Sequence, residues 1–242
     1  MSASTTAMAP SPTVSTTSVY STGAFWESLW RNSGISFVGL SVIAYVIYPS
    51  QPQVGAPPDA VAAFYTVERT RILIAAALAG WNVVNLLWFA AAVRNVLADA
   101  GEDGWGAAAT ASSAAFGALC LLLLTVGAAL AYSIAGIGNP ALTSALNDFL
   151  WAGVVMTSFP RAMLIMSGTF GFWRAGFISN TLFAAGVAAV VLGLLGGFTW
   201  MSDGFLAPDG AYTRFVAPLI GLVWVVVVSR VLNRTPPTRA GW

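Results

Sequence analysis

The sequence predicts an all-α protein, a polytopic membrane helix bundle of about six spans with both termini in the cytoplasm. Three observations carry that expectation. Of 242 residues, 57% are hydrophobic, only 8% are charged, and the mean hydropathy is +0.78. A soluble domain carries about 25% charged residues, so a chain this poor in charge cannot cover a water-facing surface. Its apolar residues fall into six long runs separated by polar or Pro/Gly-rich turns, and roughly 20 apolar residues are needed for a helix to cross the hydrocarbon core.

Taken in order, residues 1–24 are rich in Ser and Thr, hold Pro10 and Pro12, and carry no charge. Such a stretch buries too little apolar area to order itself and lacks the basic and apolar regions of a secretory signal, so it reads as a disordered tail. The transmembrane domain is expected over 25–234. Phe25, Trp26, Leu29 and Trp30, interleaved with Glu27 and Arg31, suggest a short interfacial helix at the depth aromatic residues favour. The first span, 33–48, is short, has a polar first turn and ends at Pro49. A proline-rich loop follows, with a surface helix at 60–68. The second span covers 71–93, and Asp99, Glu102 and Asp103 mark the loop after it. The third covers 107–134. Gly136 and Gly138 then make a turn, and Asn139-Pro140 suits a helix cap with proline at the first position. The fourth, fifth and sixth spans cover 141–167, 177–200 and 214–232. A polar tail, 235–242, closes the chain.

All ten basic residues are arginine. Six spans put both termini on one side, and the arginines decide which. With the termini inside, the inner face holds Arg31, Arg94, Arg174, Arg230, Arg234 and Arg239, against Arg69, Arg71 and Arg214 outside. This favours both ends in the cytoplasm, and the expected location is a bacterial plasma membrane.

Composition also narrows the chemistry. A net charge of +1 gives no basis for nucleic-acid binding. The absence of histidine removes the usual ligand for haem, copper and zinc and the usual neutral-pH proton shuttle. The one cysteine, Cys120, forms no disulfide within the chain. No cofactor and no metal site is expected. Ser/His and Ser–Lys arrangements are impossible, and GxSxG, HExxH and Walker motifs are absent, so the standard tools of an enzyme are missing.

The informative residues are polar groups inside apolar runs. Asn82 and Asn85 share one face of the second span, flanked by Trp81 and Trp88. An unpaired amide in hydrocarbon costs several kcal/mol. The pair is either glue between helices or the lining of a hydrated cavity. In the fourth span, Asp148 and Arg161 bracket the apolar run 149–160. They lie about 20 Å apart along a straight helix, against a core about 30 Å thick. Arginine snorkels readily and aspartate barely does. Asp148 is therefore either a boundary residue near a helix start or a titratable carboxylate facing a cavity. Arg161 follows Pro160, which is placed to kink the helix and open a polar pocket. Ala185, Ala189, Gly193 and Gly197 form a small-xxx-small stripe on the fifth span, which predicts a close helix contact within the chain or between chains.

The layout resembles a family of small actinobacterial integral membrane proteins of about six spans, known as a domain of unknown function. The resemblance rests on RNSG at 31–34, Phe159-Pro160, FWRAGFIS before the fifth span, and Ser229-Arg230-Val231-Leu232 at the end of the sixth. It implies a six-helix bundle and brings no activity, cofactor or site residues. Three functions stay open. The first is binding or passage of a small solute or ion through a cavity lined by Asn82, Asn85, Asp148 and Arg161. The second is a non-catalytic membrane subunit packed against a protein partner or a second copy. The third is a lipid-modifying membrane enzyme.

Overall fold

The computed structural model describes residues 17–234, with side chains from residue 29 onward. The described residues form eight α-helices and no strand: α1 (Thr17–Ile47), α2 (Pro58–Val67), α3 (Arg69–Asp99), α4 (Asp103–Tyr132), α5 (Pro140–Met156), α6 (Ser158–Arg174), α7 (Asn180–Leu195) and α8 (Ala217–Arg234). Five apolar segments are long enough to cross a bilayer: Arg69–Asp99, Asp103–Ile137, Pro140–Arg174, Asn180–Phe198 and Tyr212–Arg234. They match the second to sixth expected spans. The chain is a helical membrane protein.

The first expected span lies on α1 but is not among these five. Arg31, Asn32 and Ser33 interrupt its apolar character, and the apolar part, 35–47, is about 20 Å long. The helix nonetheless runs the length of the bundle. Near one end Arg31 donates to the Leu232 carbonyl at the end of α8, and at the other the Tyr48 hydroxyl donates to Gln51. Where α1 crosses α8, a Cβ on Gly34 would collide with Ser229 Oγ and the Phe89 ring, so only glycine permits this approach. The described part of α1 reaches back to Thr17, well upstream of the expected start. Residues 17–24 are thus helical, and 25–31 continue the same helix instead of forming a separate one. The rest of the N-terminal tail and the tail 235–242 lie outside the described residues.

Local chemistry explains the element ends. Pro58 opens α2, where a missing N–H costs nothing, and Val61 and Tyr65, four apart, are its fully buried face. Asn139 caps α5 by accepting from Leu142 N at 3.1 Å, with Pro140 at the first position, as the sequence suggests. Gly101, at φ +80°, ends α3 in the left-handed conformation, and Glu102 N donates back to Leu97 O at 2.8 Å.

The fourth span is not one straight helix. It breaks at Thr157 into α5 and α6. Pro160 has no N–H to offer the Met156 carbonyl and its ring crowds that carbonyl, which locates the break one turn upstream of the proline. Similarly, Pro218 cannot donate to Arg214 O. The turn Tyr212–Val216 before α8 is correspondingly wound as a π-helix.

Two apolar cores hold the bundle. The larger joins α3, α4, α6 and α8 through Phe89, Val93, Leu97, Ala109, Ile165, Phe172 and Trp224. A smaller one seats α2 against α3, α4 and α5 through Tyr65, Ile72, Leu130 and Leu150. The small-residue stripe meets α6 within the chain. A Cβ on Gly193 would lie 3.3 Å from Ala162 Cβ, and one on Gly197 would strike the Phe159 ring. The close approach continues through Gly186 against Thr169, whereas Ala185 is exposed.

Candidate functional site

Asn82 Nδ2 donates to Phe37 O at 3.0 Å and to Ser41 Oγ at 2.8 Å, which ties α3 to α1. The Phe37 carbonyl has a second lone pair free for this although it sits inside a helix. Asn82 is buried, and its Oδ1 has no partner among the described residues. Gluing two helices thus uses only half of this amide. Asn85 is buried one turn further along α3.

Arg161 emerges in the first turn of α6 because the Pro160 break redirects the helix there. Its Nη2 donates to Ser158 Oγ at 3.0 Å, and its Nε is buried without a partner. Opposite it, Gly221 of α8 leaves room for the arginine stem; a Cβ there would lie 3.1 Å from Arg161 Cδ.

Arg214 sits in the π-turn before α8. Its guanidinium carbon stands 4.7 Å from the centre of the Trp151 ring, Nη2 donates to Gln51 O at 3.3 Å, and Nε is buried and unpaired. Such a cation over an indole gains about 0.5–2 kcal/mol. Neither arginine has a carboxylate partner among the described residues. The ion pairs Arg71–Glu68 and Arg174–Glu102 lie elsewhere, on the surface.

The loop 48–57 is held down by a polar hub on α5. Asn147 is fully buried. Its Oδ1 accepts from Gln51 Nε2 and from the Tyr65 hydroxyl, both at 3.1 Å, and its Nδ2 donates to Pro52 O at 3.3 Å. Trp151 Nε1 donates to the same carbonyl at 2.8 Å. The neighbouring Asp148 accepts from Gly55 N at 3.3 Å, and Asp209 accepts from Val54 N at 3.4 Å.

Two cavities meet at Arg161. One, about 380 Å³, lies between α1, α3, α4 and the α5–α6 break, with Ser41, Tyr48, Gln51, Asn82, Cys120 and Arg161 among its walls. The other, about 360 Å³, lies between α1, α6 and α8 and contains Arg161 and Arg214. Both share Phe37, Ser41, Tyr45, Leu86 and Phe116. Each falls at the lower end of the range for small-ligand sites. A third, apolar groove of about 440 Å³ between α6, α7 and α8 takes Ala185 and Ala189 of the stripe into its wall.

Of the four polar residues expected to converge, Asn82 and Arg161 share a cavity. Asn85 and Asp148 line none of the three. Asp148 is half-buried and anchors a loop, because the chain after α1 folds back over α5 and brings a backbone N–H to it. Sequence reasoning missed Arg214, which counted only as an outer positive charge. The signal was Pro218 four residues on. It also missed Asn147, whose signal was the four-residue spacing to Trp151 on the buried face of α5.

Burial, and next the neighbouring Tyr48 hydroxyl, hold the Tyr65 phenol above its ordinary pKa of 10. Its neutral form is favoured in the folded state, so its contribution is complete below pH 10 and is lost as pH rises beyond that. Unfolding followed by circular dichroism should show a stability flat from pH 7 to 9 and falling above 10. Tyr65→Phe should flatten that alkaline fall, and an unchanged fall would count against Tyr65 as its source.

Comparison with protein families, curated proteins and solved structures finds no match to this chain.

Proposed function

We propose that the protein binds or passes a small solute or ion in the joined cavities around Arg161. The carrying observation is the pair of arginines, Arg161 and Arg214, which line one cavity and each keep a buried Nε without a partner among the described residues. Arg161 lies well inside the segment Pro140–Arg174 and Arg214 near the start of Tyr212–Arg234; a charged group inside a membrane segment is costly and by default marks a ligand or ion pathway. Both occur at proline-broken helix turns, and irregular backbone at membrane depth is tolerated where it lines a cavity. In this reading α1 is a sixth crossing, both termini lie in the cytoplasm, and the membrane is the bacterial plasma membrane. The alternative of a subunit packed on a partner gains nothing from the small-residue stripe, because Gly193 and Gly197 already pack on α6.

The single cysteine lines the first cavity and reports on it. In proteoliposomes, a small membrane-impermeant methanethiosulfonate should label Cys120. In a Cys120→Ser background it should label Asn82→Cys as well. Absence of labelling at both positions would mean a dry, packed bundle and would end the cavity reading.

A further inference from the structure

We infer that the cavity between α1, α6 and α8 takes an anionic amphiphile from the bilayer: a single apolar chain ending in one oxyanion, a carboxylate or a phosphate monoester. The inference rests on the cavity reading above and names its ligand class. The two guanidiniums are permanently charged and present planar donor forks suited to an oxyanion. Their buried Nε atoms have no partner among the described residues, and no described carboxylate neutralises either. A cation is disfavoured by their charge, and a neutral lipid would leave both without an anionic partner.

The rest of the wall rejects a hydrophilic anion. Apart from the arginines, Ser41 and Tyr45, the cavity is lined by apolar groups such as Phe37, Leu86, Phe116, Leu164, Ile165 and Trp224. A fully hydrated ion would gain nothing from these. The mouth lies between α1 and α8. There Val42, Tyr45, Phe215 and Leu219 are exposed, and the rings of Tyr45 and Phe215 meet edge-on with centroids 6.2 Å apart. On a membrane-spanning surface, exposed apolar side chains face lipid, so entry is lateral. At about 360 Å³ the space suits one chain better than two.

The test uses the full chain purified in dodecyl maltoside with radiolabelled palmitate. Saturable binding is expected. Unlabelled palmitate or hexadecyl phosphate should displace it. Methyl palmitate, which keeps the chain and lacks the charge, should compete at least tenfold more weakly, as should acetate and inorganic phosphate, which lack the chain. Arg161→Gln and Arg214→Gln should each weaken binding about tenfold or more. Should either variant fail to fold, the wild-type protein still decides through the competition of palmitate with its methyl ester, acetate and inorganic phosphate. Equal competition by methyl palmitate, equal competition by acetate or phosphate, or no saturable binding would each overturn the assignment. If Cys120 is labelled but palmitate does not bind, the amphiphile falls and the hydrated cavity stands. If Cys120 is never labelled in proteoliposomes, the cavity reading itself falls.

Discussion

Replacing Arg161 by methionine is expected to stabilise the fold by about 1–3 kcal/mol, measured by SDS-driven unfolding in mixed micelles. Most substitutions of buried residues destabilise, so the opposite sign is diagnostic. The scale follows from the cost of an arginine at the centre of a membrane helix, about 2.5–3.5 kcal/mol on insertion scales. From this is subtracted the loss of the hydrogen bond to Ser158 Oγ, about 1 kcal/mol. Methionine fills a similar stem volume, so Gly221 and the α8 backbone stay where they are. A group whose removal makes the protein more stable is retained for what it binds. Destabilisation by 1 kcal/mol or more would instead mean that the guanidinium is already well partnered, and Arg161 would then be a structural strut.

Replacing Asn147 by leucine is expected to destabilise by about 2–4 kcal/mol in the same assay. The side chain is fully buried and makes three hydrogen bonds, two received and one donated. Leucine has nearly the same volume but leaves the Tyr65 hydroxyl and Gln51 Nε2 without their acceptor. Each buried group left unsatisfied costs about 1–3 kcal/mol. Pro52 O keeps Trp151 as a donor, which limits the loss there. The same change should free the loop 48–57, detectable as faster proteolysis within it. Because Gln51 O holds Arg214, the loosened loop should also reach the second cavity. A change below about 0.5 kcal/mol would show that water replaces the amide freely, and the hub would then be a surface feature.

Much of the architecture was legible from local chemistry. Charge depletion and run length are properties of the chain itself, and they placed five spans to within seven residues at either end. Asn139-Pro140 predicted its helix start, and Pro160 its break, because cap and proline chemistry act within one turn. The first span was harder to read. Its polar turn at 31–33 is solvated by packing against the end of α8, which a window along the sequence does not see. Of the polar residues, Asn82 was recognised correctly as needing partners, yet the sequence left open which half of its amide the helix contact would use.

What the sequence determined by itself is the solvent and the elements: a chain with 8% charge must sit in lipid, and in lipid its apolar runs must be helices, since each backbone group has to be paired within its own segment. What only the tertiary structure decided is which polar groups meet. In a membrane helix the apolar residues run all the way round, so periodicity does not fix which side faces inward. Rotation about each axis follows from side-chain fit, as where Gly221 admits Arg161 and Gly34 admits Ser229. That fit brought Arg214, distant in sequence, to the cavity of Arg161, and it turned Asp148 away to hold a loop.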